Sequence, residues 1–233
     1  VIYHAYEFIS NLAEHDIKAH ELMLDKVDLI IAPDIERLII DTERVQIFPE
    51  RVATIYNVAD VSYPHPVRTL PYNERNGRFL WFGTLHRHQA FADHFLVAEV
   101  RDYKFDLFGR ITDPNAADVA RRLRETANLR YFGVLPAEEV NRRRAENIFS
   151  FVWWNPEISP GHYYLPSNRF FTSIQAHVPP ICAPHPQCVE LIKRYGCGLL
   201  MEDWSHEAFS RAVKRAWRIY ESDRFKTMVG FCE

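Results

Sequence analysis

Along the chain, short apolar runs alternate with segments whose apolar residues recur at helical spacing. Val1-Ile2-Tyr3 is a short β-branched run. Between Asn11 and Lys26, Leu12, Ile17, Leu22 and Leu24 stand among charges at roughly helical intervals, which predicts an amphipathic helix. Asp28-Leu29-Ile30-Ile31-Ala32-Pro33 reads as a buried strand ended by proline, with Asp34 placed to cap a helix over Ile35 to Asp41. Val52-Ala53-Thr54-Ile55-Tyr56 is a further strand. From Ser62 to Asn76 the periodicity stops, and Pro64, Pro66 and Pro71 mark a linker.

A second unit follows. Strands are predicted at Phe79-Phe82, Phe105-Phe108, Leu129-Phe132, Phe149-Trp153 and Pro180-Ala183. Helices fall between them at about His88-Val100, Ala116-Thr126, Ala137-Asn147, Asn168-His177 and Val189-Tyr195, and a last one runs from a Ser205 cap to Tyr220. Strands alternating with helices at this interval predict an α/β fold with a doubly wound parallel sheet. The expected organisation is a small first unit over residues 1–62, either an appendage or the remainder of a larger domain, a linker over 63–76, and a doubly wound domain from 77 to 220.

Composition narrows the function classes. The 233 residues are 47% hydrophobic and 25% charged, the balance of a globular protein, which excludes disorder and coiled coil. A formal net charge of −3 gives no electrostatic case for nucleic acid. No apolar run reaches the ~18 residues of a membrane helix. Cys182, Cys188, Cys197 and Cys232 form no Cys-x-x-Cys and lie only in the last quarter, so they read as reduced, buried thiols in a cytoplasmic protein. No metal site is expected.

In a doubly wound sheet, ligands bind at the carboxyl ends of the strands. Three of only eight glycines, Gly83, Gly109 and Gly133, stand directly at strand ends, a placement that argues for close backbone approach. Arg87, flanked by His86 and His88, and Arg110 follow two of these ends as candidate partners for an anion. The most specific segment is Tyr164-Leu165-Pro166-Ser167-Asn168-Arg169-Phe170-Phe171-Thr172. Pro166 and Ser167 precede an amphipathic helix, whose free N–H groups and dipole attract anions. Arg169 in its first turn adds a bidentate phosphate donor. Arg142-Arg143-Arg144, interspersed with glutamates, reads as a solvated helix face, and Trp153-Trp154 as core plus crevice wall.

Several stretches, in order, resemble the retaining glycosyltransferases with two facing Rossmann-like domains (the B-type fold, family-4-like). They are Val52 to Asp60, Phe79-Leu80-Trp81-Phe82-Gly83, Asn128 to Gly133, Pro166 to Phe171, Pro179 to Ala183 and Gly196 to Leu200. The resemblance implies a fragment of a longer protein, which agrees with a start lacking Met: residues 1–62 would be the C-terminal portion of an N-terminal, acceptor-side Rossmann-like domain, 77–220 a complete nucleotide-sugar-binding one, and 221–233 the start of a crossover tail. It implies a UDP- or GDP-type nucleotide-sugar donor as substrate, no cofactor or metal, and a glycan or lipid-linked acceptor. The location implied is the cytoplasm, or peripherally the inner face of the membrane. Backbone amides of Ser167 and Asn168, with Arg169 and Arg87, would hold the diphosphate. Val134 and Leu135 would meet the base, and His4 the sugar. Tyr164 and Thr172 occupy positions where the family often has glutamates, and Thr84 one where Arg is common. Glu157 is the candidate replacement carboxylate. A sugar-nucleotide epimerase of the same fold, or a non-catalytic nucleotide-sugar binder, is the alternative.

Overall fold

Two parallel sheets organise the chain. The computed structural model describes residues 2–4, 18–19, 22, 26–36, 38–40, 51–56, 58, 68–164 and 168–232. Val1–Val58 with Pro156–Ser167 make one compact unit, and Ala59–Asn155 with Asn168–Glu233 the other. The chain therefore passes between the units after Val58, after Asn155 and after Ser167.

In the first unit, β1 (Ile2–His4), β2 (Leu29–Ala32) and β3 (Val52–Thr54) form a parallel sheet in that order. Ile30 pairs with Tyr3 on one side and Val52 on the other. Residues 35–36 and 38–40 are helical, and the Leu38 N–H donates to the Asp34 carbonyl at 3.3 Å. Most of the helix predicted from Asn11 to Lys26 lies outside the described residues.

The second unit carries β4 (Phe79–Phe82), β5 (Phe105–Phe108), β6 (Leu129–Gly133), β7 (Phe149–Val152), β8 (Pro180–Cys182) and β9 (Leu199–Leu200). All pair in parallel in the order β6-β5-β4-β7-β8-β9. Counted from β4, that is 3-2-1-4-5-6, the doubly wound dinucleotide-fold order. The sixth strand, β9, goes beyond the five that the pattern predicts. Its helices are α1 (Arg87–Ala90), α2 (Ala116–Glu125), α3 (Ala137–Glu146), α5 (Asn168–Gln175), α6 (Pro186–Tyr195), α7 (His206–Tyr220) and α8 (Asp223–Gly230). A one-turn helix, α4 (Pro160–Tyr163), belongs to the first unit.

Helices cover both faces, so β4, β5 and β7 are buried at every position, and apart from Asp106 and Ser150 all their residues are apolar. On one face Phe79, Trp81, Phe105, Phe149, Phe151 and Trp153 pack with Phe95 and with Phe209 of α7. On the other, Val152 and Cys182 pack with Phe170, Phe171 and Cys188. All four cysteines are buried free thiols. Asp106 is the buried exception within β5. The register aligns Leu80, Asp106 and Arg130 in one row, and Asp106 answers both Arg78 and Arg130, with Arg130 gripping it bidentately at 2.7 Å.

Two segments depart from the predicted helices. The segment from His88 to Val100 is not one helix: α1 stops at Phe91, whose φ of 44° is left-handed, and 3-10 turns at Ala92–Leu96 and Ala98–Val100 follow. The break lets the Phe91 ring stack on His94, centroids 5.0 Å apart. Residues 221–233, expected as a tail, hold α8, whose buried Phe225 packs between Phe149 and Tyr220.

His94 is 2% exposed and lies among Phe91, Trp153 and Phe209, with its Nδ1 2.8 Å from His206 Nδ1. Burial, reinforced by the neighbouring His206, pushes its pKa down to about 3. In the unfolded chain it titrates near 6.5, so between these values the unfolded state binds more protons. Stability is therefore full above pH 6.5 and falls as pH drops toward 3. We expect His94→Phe to flatten that acid slope in urea unfolding measured from pH 7 to 4; an unchanged slope would refute the assignment.

Candidate functional site

The carboxyl ends of β4, β5 and β6 lie side by side, and each is followed by or ends on a glycine: Gly83, Gly109 and Gly133. Together these glycines form a floor. The N–H of Gly83 donates to the Phe108 carbonyl at 2.9 Å, and that of Gly109 to the Gly133 carbonyl at 2.8 Å. Gly83 has φ +118° and Gly109 φ +137°, and a Cβ on Gly109 would lie 1.7 Å from the Gly83 carbonyl oxygen. Only glycine permits two backbones to approach this closely in such conformations. A register shift between β5 and β6 pairs Phe108 with Gly133, which skips Phe132 and carries the loop after β6 to the same edge.

Beyond the glycines the loops remain joined. Leu85 bridges to Ile111, with Leu85 N–H on the Arg110 carbonyl at 2.9 Å and Thr112 N–H on the Leu85 carbonyl at 3.1 Å. Asp113 accepts from the backbone N–H of Arg87 at 3.1 Å and of Asn115 at 2.9 Å. Burial alone would raise its pKa; these two donors and the nearby His86 and Arg87 outweigh burial and hold it below the usual value. His86 caps α1, its Nδ1 accepting from His88 N–H and Gln89 N–H.

Above this floor opens a cavity of about 290 Å³. Gly83, Thr84, Arg110, Val134 and Leu135, all singled out in the sequence, line it together with Phe82, Phe108, Gly109 and Val140. Its lining is therefore mainly apolar, with Thr84 and Arg110 as its polar side chains.

Arg169, at the start of α5, sits beside the same glycine: a Cβ on Gly83 would come within 3.7 Å of its Cδ. The side chain is 7% exposed. Its guanidinium carbon lies 4.1 Å from the Trp81 ring centroid and 4.7 Å from that of Trp154. Nη2 donates to the Trp153 carbonyl at 3.2 Å, while Nη1 is buried with no partner among the described residues. No carboxylate pairs with it there. Burial lowers its pKa to about 9. A buried cation normally has a counter-charge; this one has two indole faces and a vacant donor.

Other predicted residues lie elsewhere. Arg87, expected over the crevice, is engaged by Asp118 of α2 at 2.6 Å and lies 3.9 Å from Asp93, so its charge is answered within the protein. Asn168 is exposed in the first turn of α5, but Ser167 lies outside the described residues. The Thr172 hydroxyl turns back onto its own helix, donating to the Asn168 carbonyl at 2.8 Å. Tyr164, edge-to-face on Tyr163, and exposed Glu157 belong to the first unit. His4 is described as backbone in β1, and its side chain lies outside the described residues. Arg144 corrects the solvated-face reading of Arg142-Arg143-Arg144. It is buried, its guanidinium 4.5 Å from the Phe82 ring centroid, and its Nη1 donates to the Thr172 carbonyl at 3.1 Å. The signal was present in the sequence: Arg144 follows the cavity-lining Val140 by one helical turn.

Among the described residues no group of His, Cys, Asp and Glu has the arrangement of a metal site, and no helix is long and apolar enough to cross a membrane. No protein-family model matches the sequence, and neither does any curated protein. Solved structures match the fold. A glycosyltransferase from Rickettsia africae ESF-5 superposes with a TM-score of 0.68 at 14% identity, over 95% of this chain and 61% of that one. HepE from Anabaena in complex with UDP-glucose gives 0.69 at 12% identity, over 99% and 65%. Sucrose-phosphate synthase from Thermosynechococcus elongatus gives 0.65 at 14% identity, over 99% and 61%. The chain thus spans less than two thirds of each. Over that span it has the B-type fold of these structures, a complete parallel Rossmann-like domain and part of a second.

Proposed function

We propose that the chain binds a nucleotide-sugar donor and belongs to a retaining glycosyltransferase that acts on a glycan or lipid-linked acceptor. The observation that carries the reading is the buried guanidinium of Arg169 beside the Gly83–Gly109 floor, which has no carboxylate partner among the described residues. A diphosphate supplies the missing counter-charge, and the N-terminal dipole of α5 favours the same anion. The apolar cavity beyond Gly83 takes the nucleoside. By resemblance, His4 and Glu157 serve the sugar, with Ser167 and Asn168 amides on the phosphates. The protein's part in transfer is then to stabilise charge on the departing diphosphate. The fold and the solved structures that share it support this reading, one of them a complex with UDP-glucose.

The test is a thermal-shift series of the chain with UDP-, GDP- and ADP-sugars and the bare diphosphates. Stabilisation by at least one is expected; stabilisation by none sinks the donor reading. One observation favours a second reading, a binder without transfer. Thr172, where the resemblance places a glutamate, offers only a hydroxyl that is already bonded to Asn168. Slow donor hydrolysis with retained configuration would decide for transfer, and binding without hydrolysis for the second reading.

A further inference from the structure

A second cavity lies at the opposite end of the same sheet. Arg78, Lys104 and Asn128 each stand one residue before β4, β5 and β6, three neighbouring parallel strands. Together with Arg101, Asp102 and Thr126 they line a cavity of about 580 Å³. A four-residue strand rises ~13 Å, so this cavity is set apart from the glycine floor at the carboxyl ends. Arg78 is 9% exposed and its guanidinium is held in place: Nε donates to Asp106, and Nη2 to the Phe105 carbonyl at 2.8 Å. Nη1 has no partner among the described residues and keeps access to solvent. Asp106 is shared with Arg130, so one carboxylate answers two cations. Arg101 and Lys104 are exposed and pair with no carboxylate among the described residues.

The lining thus carries three cations against the single carboxylate of Asp102. In a chain whose formal net charge is −3, a local excess of the opposite sign at a concave site points to an anion. A cavity of this volume suits a small molecule and not a membrane or a polypeptide surface. A phosphate monoester carries close to two negative charges at neutral pH, which matches the excess, and its oxygens accept from several charged donors at once. A monocarboxylate would leave one cation unanswered. We infer that the amino ends of β4, β5 and β6 form a second binding site, for a small phosphate-bearing anion, with Arg78 as its fixed donor and Arg101 and Lys104 as its outer cations. The site shares no residue with the cavity beyond Gly83 or with Arg169, so it stands or falls separately from the donor reading.

The experiment is calorimetric titration of the 233-residue chain with inorganic phosphate, glycerol 3-phosphate and acetate at constant ionic strength. It is repeated with the double variant Arg101→Gln/Lys104→Gln and with Arg169→Met. Both cations of the double variant are exposed, so it is expected to melt like the wild-type chain. Phosphate and glycerol 3-phosphate should bind the wild-type chain at least about tenfold tighter than acetate, and at least about tenfold weaker in the double variant, the size of one lost hydrogen bond to a charged group. In Arg169→Met one phosphate site of wild-type affinity should remain. Phosphate binding that disappears in Arg169→Met and survives in the double variant places the anion beside Gly83 and overturns the second site. Acetate binding as tightly as phosphate overturns the phosphate class. If neither phosphate binds the wild-type chain at about 10 mM, where a millimolar site would be filled, the site is overturned. Arg101 and Lys104 then only offset the negative dipole end of α2 at Thr126.

Discussion

Replacing Arg169 by methionine is expected to weaken nucleoside-diphosphate binding by about 100-fold while leaving the melting temperature of the free chain unchanged or higher. The binding loss follows from removing charge-assisted hydrogen bonds worth roughly 1.5–3 kcal/mol each, at 1.4 kcal/mol per tenfold. The stability gain follows because, among the described residues, no carboxylate pairs with the guanidinium and its buried Nη1 has no partner. Replacing buried ionic groups by apolar ones of similar volume is often neutral, or stabilising by roughly 1–4 kcal/mol. Methionine keeps a polarisable chain between the Trp81 and Trp154 faces, so little packing is lost. Alanine at the same position should lose both properties, because it opens a cavity between two indoles. Binding by titration and melting by calorimetry together decide the matter. A methionine variant that melts well below wild type would make Arg169 a structural cation and remove the main support for a phosphate site.

Gly109→Ala is expected to cost about 3–5 kcal/mol, enough to leave little folded second unit, through the named mechanisms of backbone strain and overpacking. The new Cβ would stand 1.7 Å from the Gly83 carbonyl oxygen, an atom fixed in the floor by its own strand. Neither side can yield without separating β4 from β5 at the end that shapes the cavity. Gly133→Ala provides the internal comparison. Its φ is +71°, but a Cβ there meets nothing within 4 Å, so only left-handed strain of about 1–2 kcal/mol is expected. Urea unfolding of the two variants should separate them clearly. Equal losses would mean that the close approach of Gly83 and Gly109 contributes nothing.

The sheet could be read from the sequence because its central strands are buried on both faces and so stand out as mainly apolar runs; Phe79–Phe82, wholly apolar, and Phe149–Val152, broken only by Ser150, are examples. β9 has two residues and offers too little pattern to be placed as a strand without its partner β8. The break at Phe91 has no glycine or proline to announce it; the stacking on His94 and the turn that follows decide it. Strand-end glycines pointed to the crevice because their scarcity gave their placement meaning. What charges do there was not readable. Arg87 and Arg110 look alike in sequence, yet Asp118, 31 residues on, engages the first and leaves the second at the cavity rim. Likewise Trp81 has the pattern of an ordinary core position, and only α5, arriving from much later in the chain, turns its ring into one face of a clamp for Arg169.

The joined loops after β4 and β5 carry a consequence for laboratory variation. Leu85, Ile111 and Thr112 extend the sheet past its strands, and Asp113 pins the next turn, so the cavity floor has the rigidity of the sheet itself. Under the donor reading proposed above, changes that alter which donor is accepted fall on the side chains that line the cavity over that floor, chiefly Thr84, Arg110 and Val134. A mutational library limited to those three positions should yield folded variants at high frequency and shift preference among donors. One directed at Gly83, Gly109 and Asp113 should return mostly unfolded chains.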